Sequence, residues 1–345
     1  MKHMWSSWKK WLLLLFIGVI LSVSINACNG ENSKGNKAEL TLVSYMVTKA
    51  AYQEIIAQFT AKWQQEHQQE LIVNETYGPS WGQTRSVIDG LDGDVVALAL
   101  AIDIDQIEKA GLIAPGWETE VPNNGIVTRS VVGLVPREGN PKNIKNWPDL
   151  AKDDVQVITA DPKTSGGARW NFLALWGAIA QTGGSEVDAV QYISKVFQNA
   201  PVLPPDARTA TDTFFQAQQG DVLINYENEI ILAGLNGNKV PYIIPQVNIS
   251  IENAVAVIDQ NVDKHGNREI AEAFVNYLFT PEAQRAFAKV GFRPVNPDVA
   301  KEFASQYPQP KNLFTVDDLG GWDGVQTKFF APGAIFDKIL AGMNP

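Results

Sequence analysis

VQVITADPKTSGGARWNFLALWGAIA, residues 155–180, is the stretch that best indicates the fold of this chain. It opens with an apolar run typical of a buried strand and closes with an apolar run long enough for a helix. Between them lies a polar loop in which Gly166 and Gly167 follow Ser165. The first amides of a helix lack internal partners, and the aligned peptide dipoles place about half a positive charge there. The stretch therefore predicts a strand, a loop and a helix, with an anion as the natural occupant of the loop.

Strand-like and helix-like segments alternate along most of the chain. The strand-like runs, which are rich in apolar and β-branched residues, are ELTLVSY (39–45), ELIVNETYG (70–78), DVVALAL (94–100), TRSVVGLV (128–135), VLINYEN (222–228), PYIIP (241–245) and NAVAVIDQNV (253–262). Apolar residues at helical spacing follow several of them. This alternation predicts an α/β fold of two lobes, with a ligand cleft between them.

Three further loops repeat the pattern of strand end, polar loop and helix start. They lie at residues 45–48, 78–81 and 206–209, so that two of the four loops fall in each predicted lobe. Together they predict that four helix starts meet at one anion site. No single loop establishes the site, because a serine at a helix start is more often an N-cap and paired glycines often mark only a turn.

Side chains beside these loops add to the predicted site. Ser80 and Ser165 offer hydroxyl donors to an anion. Arg169 and Arg208 each follow a loop directly, and they either supply positive potential or form ion pairs with nearby carboxylates. Both interpretations of the two arginines remain open at this stage.

The first residues form a separate unit. Residues 1–27 combine lysines, a short apolar run and small residues, which predicts a signal peptide for export. Cys28, the single cysteine in the sequence, follows the predicted cleavage point. The pattern resembles a bacterial lipoprotein signal, which makes Cys28 a candidate for lipidation; the alternative is an ordinary signal peptide. Residues 28–38 are then expected to form a flexible tether.

Composition argues against several classes of function. The chain carries 28 basic and 38 acidic residues, and removal of residues 1–27 takes away three lysines and no acid, which leaves a formal charge of about −13. This balance argues against nucleic-acid binding. His67 and His265 are far apart, so neither a metal site nor a cofactor is expected. The chain is not expected to be an enzyme, because a nucleophilic Ser80 or Ser165 would lack an evident base.

Eight stretches together resemble the sulfate- and thiosulfate-binding proteins of bacterial ABC importers. They span residues 40 to 335 and comprise SYMVTKAAY, GPSWGQTRSVIDGLDGDVVALAL, REGNPKNIKNWPDL, DPKTSGGARWNFLALWG, DARTATDTF, GDVLINYENEIIL, GFRPV and LFTVDDLGGWDG. The resemblance implies a type II periplasmic-binding-protein fold, in which two α/β lobes joined by two crossing strands close on a sulfate ion. It further implies residues 39–127 and 247–345 as lobe 1 and residues 128–246 as lobe 2.

The resemblance also implies the binding residues. In this family the anion is held by main-chain N–H groups and neutral side-chain donors, and the matching positions here are Met46, Ser80, Ser165, Gly166, Gly167, Ala207 and Tyr226. The chain departs from the family pattern at two of them, because Met46 replaces an aspartate and Tyr226 replaces a tryptophan. At a neighbouring position, Trp81 stands where a smaller residue is common.

These departures bear on which anion is bound. A phenol donates and accepts hydrogen bonds, whereas an indole N–H only donates. Hydrogen phosphate carries a proton that needs an acceptor, and Tyr226, Glu227 or Asp206 could provide one. Sulfate is the expected ligand, and thiosulfate, phosphate and molybdate remain alternatives. The expected partner is the membrane permease of an ABC importer, and the expected state is a monomer.

Overall fold

The computed structural model describes residues 37–238 and 241–343, which form two α/β lobes. The strands are β1 (Lys37–Tyr45), β2 (Glu70–Gly78), β3 (Val95–Leu98), β4 (Ile126–Ser130), β5 (Val132–Pro136), β6 (Val157–Ile158), β7 (Val222–Tyr226), β8 (Val247–Ile249), β9 (Ile251–Val257), β10 (Arg293–Pro294) and β11 (Asn312–Phe314). The helices are α1 (Lys49–His67), α2 (Ser80–Ile88), α3 (Ala101–Lys109), α4 (Gly166–Ala180), α5 (Glu186–Gln198), α6 (Ala207–Phe215), α7 (Glu227–Leu235), α8 (Asp259–His265), α9 (Arg268–Tyr277), α10 (Pro281–Lys289), α11 (Pro297–Glu302), α12 (Gly321–Val325) and α13 (Ile335–Met343).

Lobe 1 is built on a six-stranded sheet with the order β10-β4-β9-β3-β1-β2. Strand β1 is parallel to both β2 and β3, whereas β9 runs antiparallel to β3 and β4. All four residues of β3 are buried, as the apolar run at 94–100 predicts. Because parallel strands end at the same edge, the loops after β1, β2 and β3 lie side by side there.

Lobe 2 is built on a three-stranded sheet with the order β5-β7-β6. Helix α4 packs beside it, and every residue from Gly166 to Ala178 is buried. Burial on all sides explains why this helix is apolar around its whole circumference rather than along one stripe. On the side away from the sheet, Phe172 packs edge to face against Phe329 and Phe336, with ring centroids 5.6 and 5.7 Å apart.

Two short crossings connect the lobes. The first runs from β4 through Val131 into β5, and the second runs from β8 through Ser250 into β9. Asn248 clamps the crossings together, because its side chain accepts a hydrogen bond from the Val132 N–H at 3.0 Å and donates one to the Val132 carbonyl at 2.8 Å. Both residues are fully buried, so the pivot between the lobes is a packed element.

Several sequence predictions differ from the structure. The run at 253–262, predicted as one strand, ends at Val257, and its last four residues lie in α8. The predicted lobe boundaries at 127/128 and 246/247 lie three residues before the crossings at Val131 and Ser250. Strand β1 already includes Lys37 and Ala38, so the predicted tether cannot extend to residue 38. The run at 241–245 forms a single β-bridge, between Ile243 and Leu134, in place of a strand. The segment at 312–343, predicted to be part of lobe 1, packs on lobe 2, because its phenylalanine rings cover the face of α4 that the small sheet leaves open.

Candidate functional site

A small cavity lies between the two lobes, where the loops after β1, β2, β3 and β7 meet the starts of α4 and α6. It is narrow, and the roughly 230 Å³ of space between its lining atoms includes space open to solvent. The seven residues predicted to bind the ligand all line it, namely Met46, Ser80, Ser165, Gly166, Gly167, Ala207 and Tyr226. It is also lined by Tyr45, Val47, Gly78, Pro79, Ala99 and Asp206. The structure therefore brings together, from both lobes, all of the residues predicted for the anion site.

Helix starts surround this cavity. Ser80 opens α2, Gly166 opens α4 and Ala207 opens α6, and Met46 begins a one-turn 3-10 helix that runs directly into α1. Amides in a first helical turn have no partner within the helix, and they carry the positive end of the helix dipole. The cavity is therefore lined by partial positive charge from the main chain of both lobes, without a full positive charge in contact.

Two glycines allow the surrounding groups to approach closely. A Cβ atom on Gly166 would lie 2.6 Å from the Cβ of Ala99, which belongs to the other lobe. A Cβ atom on Gly167 would lie 2.6 Å from Cε2 of Tyr226. Both distances are far below van der Waals contact, so any larger residue must separate the lobes or displace the tyrosine ring.

The two predicted serine donors differ in the direction of their hydroxyl groups. Ser165 is the N-cap of α4, and its Oγ accepts the Ala168 N–H at 3.2 Å, which leaves its hydroxyl hydrogen for the cavity. In contrast, Ser80 Oγ donates to Asp103 Oδ2 at 2.6 Å and accepts the Ala99 N–H at 3.0 Å. The prediction that Ser80 offers its hydroxyl is thus wrong for this arrangement, and its main-chain N–H is the group left to face the cavity.

Asp103 is a buried acid that is not among the predicted site residues. Its side chain is fully buried, and its Oδ1 has no hydrogen-bond partner within the described part of the chain. Burial raises the pKa of Asp103 to about 6, and the charge of Arg169 and the Ser80 hydrogen bond partly offset this rise. An acid in the first turn of a helix ordinarily indicates a favourable dipole interaction, so the sequence pattern alone does not reveal this burial.

Asp103→Asn is expected to change how stability depends on pH. A folded-state pKa near 6, above the usual value of 3.8, means that the folded chain holds this proton more tightly than the unfolded chain. The stability contributed by Asp103 is present below pH 4 and is lost as the pH rises through 6, by up to roughly 3 kcal/mol. Urea unfolding at pH 4 and pH 8 should therefore show the variant gaining stability relative to the native chain at pH 8. An unchanged difference between the two pH values would contradict this assignment.

Two tyrosine hydroxyls at the cavity lack partners. The hydroxyls of Tyr226 and Tyr45 are buried and make no hydrogen bond within the described residues. Burial raises the pKa of both phenols well above the usual value, and the charges of Asp103 and Glu229 add to this for Tyr226. Both side chains are therefore neutral and can donate a hydrogen bond. Tyr45 was part of a predicted loop, but its hydroxyl was not among the predicted donors.

The two arginines lie outside the lining of the cavity. Arg208 binds Glu229 through two hydrogen bonds of 2.8 and 2.7 Å, and Glu229 is buried, so its charge is compensated. Arg169 donates to the Pro162 carbonyl at 3.1 Å and to Gln326 Oε1 at 3.2 Å. Arg208 therefore forms the ion pair with a carboxylate that was one of its two predicted roles. Because its charge is compensated, it adds little net positive potential at the cavity.

A direct hydrogen bond also joins the lobes beside the cavity. Trp170, in α4, donates from Nε1 to the Ala99 carbonyl at 2.9 Å, and the Asn253 amide donates to the same oxygen at 3.2 Å. Trp170 is almost fully buried and packs edge to face on Trp322, with ring centroids 4.9 Å apart. The lobes are thus in contact around the cavity, and the described geometry is a closed one.

The described residues also limit other kinds of site. Within residues 37–238 and 241–343, no group of three or more potential ligand side chains is arranged to hold a metal ion. Among the helices of that same part of the chain, none combines the length and the apolar character needed to cross a membrane. The candidate signal peptide and Cys28 lie outside the described residues.

The structure has two α/β lobes with a small cavity between them, an architecture that also occurs in known solute-binding proteins. Residues 40–293 match the family model of the bacterial extracellular solute-binding proteins. A sulfate-binding protein of Synechococcus elongatus is 54% identical over 345 residues, which is 98% of each chain. A thiosulfate-binding protein of Pseudomonas aeruginosa is 39% identical over 304 residues, covering 87% of this chain and 91% of the relative.

A solved structure extends this similarity to three dimensions. The sulfate-binding protein SubI from Mycobacterium tuberculosis superimposes with a TM-score of 0.79 at 37% identity, over 85% of this chain and all of that one. The chain belongs to the bacterial extracellular solute-binding proteins. The family resemblance and the fold class predicted from the sequence are thereby confirmed.

Proposed function

We propose that the chain binds sulfate in the cavity between its lobes and serves as the substrate-binding component of an ABC importer. The observation that carries this proposal is the convergence of helix starts from both lobes on one closed cavity. The proteins of Synechococcus elongatus and Mycobacterium tuberculosis described above, both named for sulfate binding, support it.

Seven donors are available to a tetrahedral anion in this arrangement. They are the main-chain N–H groups of Met46, Ser80, Gly166, Gly167 and Ala207 and the hydroxyls of Ser165 and Tyr226. Hydrogen bonds to a charged group are stronger than neutral ones, and they strengthen further where water is excluded. The anion is then stabilised by oriented dipoles, and buried amides that would otherwise lack partners become satisfied.

The donor set favours a fully ionised anion. Sulfate has no proton to donate at neutral pH, so it needs only donors around it. Hydrogen phosphate needs an acceptor, and Asp206 is the carboxylate among the lining residues. Both of its oxygens already accept hydrogen bonds from Thr209, at 2.8 and 3.0 Å. Glu227 is engaged by Arg293, which leaves the Tyr226 oxygen as the acceptor for a protonated ligand.

Thiosulfate is the second candidate, because the Pseudomonas aeruginosa relative is named for it. Thiosulfate is also fully ionised near neutral pH, and it differs from sulfate in having one sulfur in place of an oxygen. Thiosulfate needs hydrogen-bond donors around it, as sulfate does, but it has a slightly larger volume. The size of the cavity is therefore the feature that discriminates between the two ligands.

Binding is coupled to closure of the lobes in this proposal. Each lobe contributes two helix starts, so the complete set of donors exists only in the closed form. An anion that binds the closed form more tightly shifts the population of the chain toward it. The closed form then delivers the anion to a membrane permease. Export through residues 1–27, tethering by a lipid on Cys28 and a monomeric state belong to the same proposal.

Isothermal calorimetry tests the proposed ligand. The chain is titrated with sulfate, thiosulfate, phosphate and molybdate at pH 6 and pH 8. Tight sulfate binding at both pH values, with phosphate ignored, is the expected result. Phosphate binding that follows protonation of the ligand would place an acceptor in the site and contradict the assignment of sulfate.

Tyr226→Phe is expected to weaken sulfate binding about tenfold, because it removes one hydrogen bond to a charged ligand. The hydroxyl has no partner within the described residues, so the free energy of unfolding should stay the same or rise slightly. Tyr192→Phe is the matched control, since the Tyr192 hydroxyl donates to the Trp147 carbonyl at 2.5 Å, away from the cavity. The control should lose stability and keep its affinity; equal sulfate affinity in both variants would show that Tyr226 does not contact the ligand.

A further inference from the structure

A buried ion pair joins the two lobes behind the anion cavity. Arg293, in β10 of lobe 1, donates from Nε to Glu227 Oε2 at 2.6 Å and from Nη2 to Glu227 Oε1 at 3.1 Å. Glu227 opens α7 of lobe 2, and its side chain is fully buried. Nη2 of Arg293 also donates to the Pro308 carbonyl at 2.7 Å. Burial raises the pKa of Glu227, and Arg293 partly offsets this rise.

Glu227 also connects the ion pair to the pivot and to the anion site. Its main-chain N–H donates to the carbonyl of Val131 at 2.9 Å, and Val131 is the residue between β4 and β5 in the first crossing. The preceding residue is Tyr226, whose ring lies against Gly167 at the cavity. Glu227 therefore contacts lobe 1 and the pivot, and it directly follows Tyr226, a proposed ligand donor.

A second contact holds the start of α7 against lobe 1. Gly291, in the loop before β10, has a φ of 100°, and a Cβ atom there would lie 2.8 Å from both Cα of Asn228 and Cβ of Ile231. A positive φ favours glycine, so this close approach of the loop to α7 depends on Gly291. The position of α7 relative to lobe 1 is thus fixed by packing as well as by charge.

A surface pocket lies beside the ion pair and both crossings. It is partly open to solvent and borders Arg293, and Ser130, Val131 and Ser250 are among its lining residues. Asn248 and Val132 hold the crossings together, and this pocket leaves one side of them open to solvent. The ion pair joins the two lobes beside the pocket, and breaking a buried pair leaves an uncompensated charge.

We propose that the Arg293–Glu227 ion pair is a strut that holds the lobes at the separation needed for anion binding, so that both are positioning residues. The effect on affinity rests on the proposed function, whereas the effect on lobe separation does not. Without the strut, the closed form is a smaller fraction of the sulfate-free chain, and the apparent affinity falls in proportion to that fraction.

The test replaces the pair with neutral side chains of similar length, Glu227→Gln with Arg293→Met. The matched control is Glu302→Gln with Arg285→Met, a pair with two hydrogen bonds of 2.7 and 2.8 Å that lies within lobe 1 and is partly exposed. Lobe separation is measured by pulsed electron paramagnetic resonance between labels at Ile88→Cys and Val187→Cys, two exposed positions on different lobes. Cys28→Ala removes the one native cysteine from the chain.

The expected result for the strut variant is a longer and broader distance distribution without sulfate, and a loss of sulfate affinity of tenfold or more by calorimetry. The control should change affinity less than twofold and keep the native distribution. An unchanged distribution overturns the strut, whatever happens to affinity, because a merely structural role or a local effect through Tyr226 would leave lobe separation alone.

Two further outcomes remain decisive. Should the native chain fail to bind sulfate, the proposed function falls, while the distances in the sulfate-free chain still decide the strut. Should the double variant fail to fold by circular dichroism, Arg293→Lys replaces it, since lysine keeps the charge and loses the two-pronged geometry. A smaller shift of the distances in the same direction supports the strut, and no shift overturns it.

Discussion

Gly166→Val is expected to abolish sulfate binding, with a loss on the order of a thousandfold or more. A side chain at residue 166 would meet the Cβ of Ala99 at 2.6 Å, and the Cγ of Leu100 and the Cβ of Ser80 at 3.4 Å, all from lobe 1. The lobes cannot then close, and the helix starts of one lobe no longer reach an anion held by the other. Each lost hydrogen bond to a charged ligand removes roughly 1.5–3 kcal/mol. Calorimetry with sulfate measures the effect.

Gly82→Ala provides the control for this substitution. Gly82 lies on α2, close to the site, but the nearest atoms to an added Cβ are in Pro79, at 3.9 Å. Gly82 is the third residue of the helix, and an alanine there should raise the free energy of unfolding by up to about 0.5–1 kcal/mol and leave sulfate affinity unchanged. Tight sulfate binding by Gly166→Val would show that the cavity between the lobes is not the binding site.

Ser165→Ala is expected to weaken sulfate binding by about 10- to 100-fold. The Ser165 main-chain N–H already donates to the Asp161 carbonyl at 2.8 Å, so the hydroxyl is the group that this residue can offer to the ligand. Its loss removes one charge-assisted hydrogen bond, worth about 1.5–3 kcal/mol. The free energy of unfolding should also fall by about 1 kcal/mol, because Ser165 Oγ caps α4.

Ser185→Ala separates the two effects of that change. Ser185 caps α5 in the same lobe, with its Oγ accepting the Asp188 N–H at 3.2 Å, and it lies on the exposed side. It should lose a similar amount of stability in urea unfolding and keep full sulfate affinity. If Ser165→Ala lowers stability but leaves sulfate affinity intact, as expected for Ser185→Ala, then Ser165 serves only as a helix cap.

The sequence was sufficient to predict the helix starts because their signals are local. Gly166 and Gly167 after Ser165, between two apolar runs, determine a strand, a turn and a helix through neighbouring residues alone. The same holds for β2, whose predicted bounds of 70–78 match the structure. Since parallel strands end at one edge of a sheet, correct local units were enough to bring seven separated residues to one cavity.

The parts that were missed depend on contacts between distant segments. In the sequence, Asp103 looks like any other acid in the first turn of a helix. It is distinguished by its contact with Ser80, which is 23 residues away and lies at 2.6 Å. The segment at 312–343 reads as one more helical unit, and its place on lobe 2 follows from the open face of α4, which no local pattern shows. The direction of the Ser80 hydroxyl was unpredictable for the same reason, since its acceptor is distant in sequence.

The division of the helix starts between the lobes has a consequence for a membrane partner. In the proposed function, a ligand held between the lobes presents little of its own surface to the outside, and its binding changes the spacing of the two lobes. A permease that contacts both lobes at once can therefore distinguish a loaded carrier from an empty one without touching the ion. Selectivity for the ion and recognition by the permease can then change independently, since one depends on the cavity lining and the other on the outer faces of the lobes.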